Sequence, residues 1–145
     1  MKPTRTWILV ANARQARILE HSGAGQGVHP VPGKHLKAEE ATEHSDKPGT
    51  GHSIAGPATN AMDRASTQDQ ADIAFAKQVC TVLMEALAEE RYDRLVIFAG
   101  PHMLGLLRKV RQIEIEDVIL KEIDKDLTNL PVDQIETHLE DVIFV

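Results

Sequence analysis

Thr6-Trp7-Ile8-Leu9-Val10-Ala11-Asn12 is the stretch whose reading decides the fold. Trp7 to Ala11 is an unbroken apolar run of strand length with no polar face, the pattern of a strand covered on both sides. Such a strand lies mid-sheet, so the flanking segments must supply its neighbours. Asn12-Ala13-Arg14-Gln15 is short and polar, and Ala16 to His21 alternates, which predicts a second strand returning antiparallel to the first. Ser22 to Gly27 is a Gly-rich turn. A third strand is expected between Val28 and Ala38, at a sheet edge, because Pro30 and Pro32 cannot donate to a ladder.

From Glu39 to Ala65 the composition turns to Gly, Pro, Ser, Thr, His, Asp and Glu, which predicts a flexible loop. Ser66-Thr67-Gln68-Asp69 has the form of a capping box, so a long helix is expected from there through Glu90. Phe75, Val79, Val82, Leu83 and Leu87, with Ala76 and Cys80, form its apolar stripe, while Asp69, Asp72 and Glu85 are assigned to a solvated face. Asp93 to Ala99 reads as a second buried strand, Pro101 to Arg111 as a short helix and Val118 to Ile123 as another strand. A last helix opens at Leu130-Pro131. Short links favour antiparallel pairing and helical crossovers parallel pairing. The expectation is one α/β domain over 1–145: a mixed sheet of about five strands, the first three antiparallel, then helix, strand, helix, strand and helix, with helices on both faces. This is also the element order of ribonuclease H-like folds.

A chain of 145 residues supports one core. Its net charge of -6 provides no global field for phosphates, so any nucleic-acid contact needs a local patch. The aromatic share of 3% argues against recognition by base stacking. A single cysteine, Cys80, rules out an intramolecular disulfide and agrees with a reducing compartment. Trp7 to Ala11 is too short for a signal-peptide core and no stretch is long enough to span a membrane, so a cytoplasmic location is expected.

Chemistry by the familiar routes is not expected. A two-metal nuclease needs carboxylates converging on the central strand, and that strand ends in Asn12. The histidines His21, His29, His35, His44 and His52 lack the close spacing of preformed ligand pairs, so no metal is expected. Cys80 sits on the helix stripe as packing, and Ser53 has no acid partner for a triad. The Gly-rich runs 23–27 and 49–53 do not join a strand to a helix as a phosphate loop must. No cofactor is expected. Arg14, Arg17, Arg108, Lys109 and Arg111 could assemble the one basic patch. Glu122, Asp124 and Asp126 share one strand face at i,i+2, read as the solvent side of an edge strand, and Arg17 is expected to pair with one of them.

Thr6 to Asn12 with Ala16-Arg17, Tyr92 to Ile97 with Leu104-Gly105 and Leu107-Arg108, and Asp124 to Thr128 with Leu130-Pro131 together resemble the bacterial host attachment family. That family is similar to the middle domain of archaeal and eukaryotic peptide-chain release factors, whose loop before the long helix carries Gly-Gly-Gln. The resemblance implies a binding or regulatory protein in attachment of bacteria to host cells, without a catalytic site. The alternative is a translation factor that binds ribosome or tRNA through the 39–65 loop. Gly25-Gln26 follows Ala24, and Gly51-His52-Ser53 lies in the corresponding loop without the Gln, so release chemistry is not implied. The family often has Asp where this chain has Asn12. The binding residues nominated are Asn12, Arg14, Arg17, His52, Arg108, Asp126 and Thr128, the partner is a macromolecule, and an unpaired sheet edge leaves room for a homodimer.

Overall fold

Every residue of the first strand, β1 (Thr6–Ala11), is buried, as its uninterrupted apolar run requires. In the computed structural model the other strands are β2 (Gln15–His21), β3 (His29–Lys37), β4 (Arg94–Ala99) and β5 (Ile119–Asp124). The helices are α1 (Pro57–Ala88), α2 (Pro101–Val110), α3 (Ile113–Val118) and α4 (Val132–Leu139). The structure describes residues 3–39, 57–143 and 145, with backbone alone for 57–66. The sheet has five strands in the order β3-β2-β1-β4-β5. β1 to β3 pair antiparallel, while β4 lies parallel to β1 and β5 parallel to β4. The mixed α/β sheet expected from the sequence is the one observed.

Strand alternation divides the core into two layers. Trp7, Leu9 and Ala11 point with Leu95 and Ile97 into the layer covered by Phe75, Val79, Leu83, Met103 and Leu107 of α1 and α2. Ile8, Val10, Val96 and Phe98 point the other way, onto Ile135 and Leu139 of α4 and onto Ile143. Trp7 stacks on Tyr92 with ring centroids 4.7 Å apart and donates its indole N–H to Glu20 Oε1 at 2.9 Å. The Tyr92 hydroxyl donates to the Leu83 carbonyl at 2.8 Å, tying α1 to the entry of β4.

Two boundaries and the burial of one acid differ from expectation. α1 begins at Pro57, so 57–65 are helical and the Ser66 cap is not a helix start. Pro57 suits the first helical turn, and Ala58, Ala61, Met62 and Ala65 are strong helix formers, a propensity the polar composition of the region obscured. Residues 113–118 form α3, so Val118 ends a helix instead of opening a strand. Six residues are too few to show helical periodicity, and only Ile115 of this helix is buried. Asp72 is 6% exposed, on the packed side of α1 and not on a solvated face.

β3 is an edge strand, as its prolines require, and it is irregular. Arg17 pairs with His35 and Leu19 with Pro30, so β2 advances two residues where β3 advances five. The excess is a bulge at 31–34, turned by Gly33 at φ 75°, a left-handed value that a side chain resists.

Candidate functional site

β1 is the strand where the order switches from antiparallel to parallel neighbours, and in open α/β sheets the crevice beyond the strand ends at such a point is the common ligand position. Asn12 leaves β1 there. Its Oδ1 accepts from the backbone N–H of Arg14 (2.8 Å) and Gln15 (2.9 Å), which forms the tight turn into β2. Its Nδ2 donates to Asp126 Oδ2 (3.1 Å) and to Thr128 Oγ1 (3.0 Å), which pins the segment after β5 across the end of β1.

Asp126 Oδ1 in turn accepts from the Thr128 hydroxyl (2.6 Å) and backbone N–H (3.0 Å). Desolvation pushes the Asp126 carboxyl up, but the bonds from Thr128 and Asn12 outweigh it and hold the group below the ordinary Asp range. Arg17 Nη1 donates to the carbonyls of Thr128 (3.2 Å) and Leu130 (2.6 Å). Arg17 therefore holds the segment by its backbone, and the expected pairing with Glu122, Asp124 or Asp126 is corrected. The acids it was to meet are committed elsewhere: Asp126 to Asn12 and Thr128, Glu122 to arginines.

A cleft of about 340 Å³ opens beside Asn12, lined by Arg14, Gly100, Pro101, His102, Met103 and Asp126 among others. His102 stands in the first turn of α2 with its side chain 59% exposed, and its Nε2 lies 2.9 Å from Asp72 Oδ2. Asp72, 9% exposed at the side chain, also accepts from Gln68 Nε2 at 2.8 Å. The buried carboxylate anchors the imidazole at Nε2 while most of the ring stays exposed to the cleft side, an arrangement suited to hydrogen bonding with a partner. Neither residue was nominated from the sequence. The signal was present: Asp72, Phe75, Ala76 and Val79 stand at i, i+3, i+4 and i+7, which puts Asp72 on the buried stripe.

The remaining candidates fall apart in space. Arg108 Nη2 pairs with Glu122 at 2.9 Å, and Arg111 bonds the same carboxylate and approaches Glu116 at 3.9 Å. Burial raises the Glu122 carboxyl, but the bonds to Arg111 and Arg108 prevail and leave it below the ordinary Glu range. Glu122 is thus an internal partner and not a solvated edge acid, and Arg108 and Arg111 are not spare charges for a patch with Arg14 and Arg17. His52 lies outside the described residues. No group of three or more His, Cys, Asp or Glu suited to a metal occurs among the described residues. No described helix is long and apolar enough to cross a membrane.

The model of bacterial archaeo-eukaryotic release factor family 12 matches residues 5–139, from before β1 to the end of α4. The chain belongs to that family. Among solved structures, this family member is similar to the archaeal translation termination factor aRF1, with TM-score 0.53 and 8% identity over 96% of this chain and 35% of that one. An archaeal protein matches with TM-score 0.51 and 12% identity over 96% of this chain and 34% of the other. At these identities the likeness is one of fold, and the chain spans about a third of the length of those two structures. No curated protein matches the chain. The comparisons support the release-factor side of the resemblance drawn from the sequence and lend none to host attachment.

Proposed function

We propose that this release-factor-family chain is a translation-factor-like binding domain that docks on the ribosome or on tRNA. The observation that carries this reading is the family match across 5–139, which takes in the whole sheet and every described helix. The sheet end formed by Asn12, Arg14, Asp126 and Thr128 supports it as a rigid platform. Its polar groups are already cross-bonded, so it can present Arg14 and His102 without rearranging. Gly-Gly-Gln does not occur in the sequence, so the proposed role is binding and not peptidyl-tRNA hydrolysis by that tripeptide. The segment before α1 is proposed to contribute to the contact.

Co-sedimentation of the full chain with bacterial ribosomes over a salt series tests the reading. Retention at low salt that declines steeply as salt rises is expected, because the contact is to phosphates. Shortening 40–56 is expected to weaken retention. Absence of co-sedimentation at every salt concentration, with tRNA also failing to bind, would overturn the proposal.

A further inference from the structure

A groove of about 890 Å³ lies along the β3 edge of the sheet, away from the cleft at Asn12. Its floor includes Leu19 of β2, one wall is the β3 bulge at 31–34, and the other is the 128–131 segment that Arg17 holds by its carbonyls. Among the described residues, no Asp or Glu lines this groove. Arg17 and Lys34 do, and neither has a carboxylate partner among the described residues. Arg17 spends Nη1 on the two carbonyls, and its Nε and Nη2 take no partner there. Gln15, Thr128 and Asn129 add neutral polar groups.

We propose that this groove is a docking surface for the sugar-phosphate backbone of single-stranded RNA. The choice of RNA rests on the translation-factor reading above; the choice of a phosphate backbone rests on the groove. Two cations in a channel that no described acid lines, on a chain of net charge -6, form a local positive site against an unfavourable surrounding field. An acidic peptide fits less well. A peptide would gain affinity by extending the sheet at β3, but Pro30 and Pro32 have no N–H to offer and the bulge breaks the strand's regular edge. A nucleic-acid backbone needs no ladder, only cations and donors spaced along a channel. Among the described residues no Trp, Tyr or Phe lines the groove, and the His35 imidazole is engaged with Gln15 Oε1 at 3.1 Å, so the binding reads phosphates and is indifferent to base identity.

Fluorescence anisotropy of a labelled oligouridylate of about twelve nucleotides, titrated with the full chain over a salt series, provides the test. Two neutralised phosphates give an expected slope of about -1.4 in log affinity against log salt. Lys34→Glu, at the half-buried end of the bulge, is expected to weaken binding by on the order of tenfold, while Lys121→Glu, the same charge change on the opposite edge, leaves it unaltered. No RNA binding, equal loss in the two variants, or tighter binding of polyglutamate than of RNA overturns the proposal. RNA binding without ribosome co-sedimentation preserves the groove and removes the ribosome; co-sedimentation unaffected by Lys34→Glu, with no oligonucleotide binding, does the reverse.

Discussion

Asn12 shows why an amide, and not an acid, ends the central strand. It uses both ends of its side chain: the carbonyl oxygen takes two backbone N–H groups and the amide nitrogen faces Asp126 and Thr128. Asn12→Asp keeps the first pair of bonds and replaces the second with a carboxylate against a carboxylate. We expect a loss of about 1–2 kcal/mol at neutral pH, measured by urea unfolding, because a donor is removed and like charges meet in a half-exposed setting. One of the two acids in that variant acquires a raised folded pKa, so the penalty shrinks as the pH falls through the carboxylate range. A penalty that does not change with pH would remove the like-charge explanation. Cys80 illustrates the opposite environment. Burial pushes its thiol up to about 11, against a lowering by Arg111, and the side chain is inside the α1 layer. Alkylation at neutral pH should therefore be slow in the folded protein and accelerate on addition of denaturant, and fast modification of the native state would contradict its packing role.

At the scale of elements, α1 ends in a left-handed residue. Glu90 has φ 59°, its N–H bonds the Leu87 carbonyl at 2.9 Å, and Arg91 N–H bonds Ala86 O at 2.9 Å, which together form a Schellman cap. Glycine normally occupies that position because it carries no Cβ penalty. Glu90→Gly is expected to stabilise the protein by about 1 kcal/mol, visible as a higher thermal midpoint, and a lower midpoint would show that the Glu90 side chain contributes more than its backbone strain removes. The other end of α1 was not legible. Ser66 to Asp69 has every property of a helix start, but a capping pattern describes what a terminus needs and not that a terminus exists there. The Ala-containing turns before it continue the helix to Pro57. α3 escaped notice for a similar reason, since one buried residue in six leaves no period to detect.

At the scale of the whole molecule, two acids of lowered pKa tie β5 and the segment after it to other elements, Asp126 to the end of β1 through Asn12 and Glu122 to the end of α2 through Arg108 and Arg111. For each, the folded state binds its proton more weakly than the unfolded chain does. The stabilisation is therefore complete above the unfolded carboxylate pKa of about 4 and is lost as the pH falls through the lower folded value. Unfolding free energy is expected to be flat with respect to these two groups from neutrality to about pH 5 and to decline below it. The decline should be shallower in Asp126→Asn and in Glu122→Gln, and equal slopes in all three proteins would refute the assignment. Trp7, wholly buried and the only tryptophan, reports the transition by fluorescence. The central strand, its antiparallel partner β2, the presence of parallel pairing after a helical crossover and the edge position of β3 were determined by local pattern, whereas the order that sets β4 beside β1 was not. A strand with no polar side must be covered, a proline cannot serve an inner ladder, and link length decides pairing direction. Only the tertiary structure decided which polar groups meet. Asn12 and Asp126, His102 and Asp72, and Arg17 with the carbonyls at 128 and 130 are separated by 114, 30 and more than 110 positions. Contacts across such distances depend on chain crossings and side-chain reach, for which a linear sequence carries charge and size but no geometry.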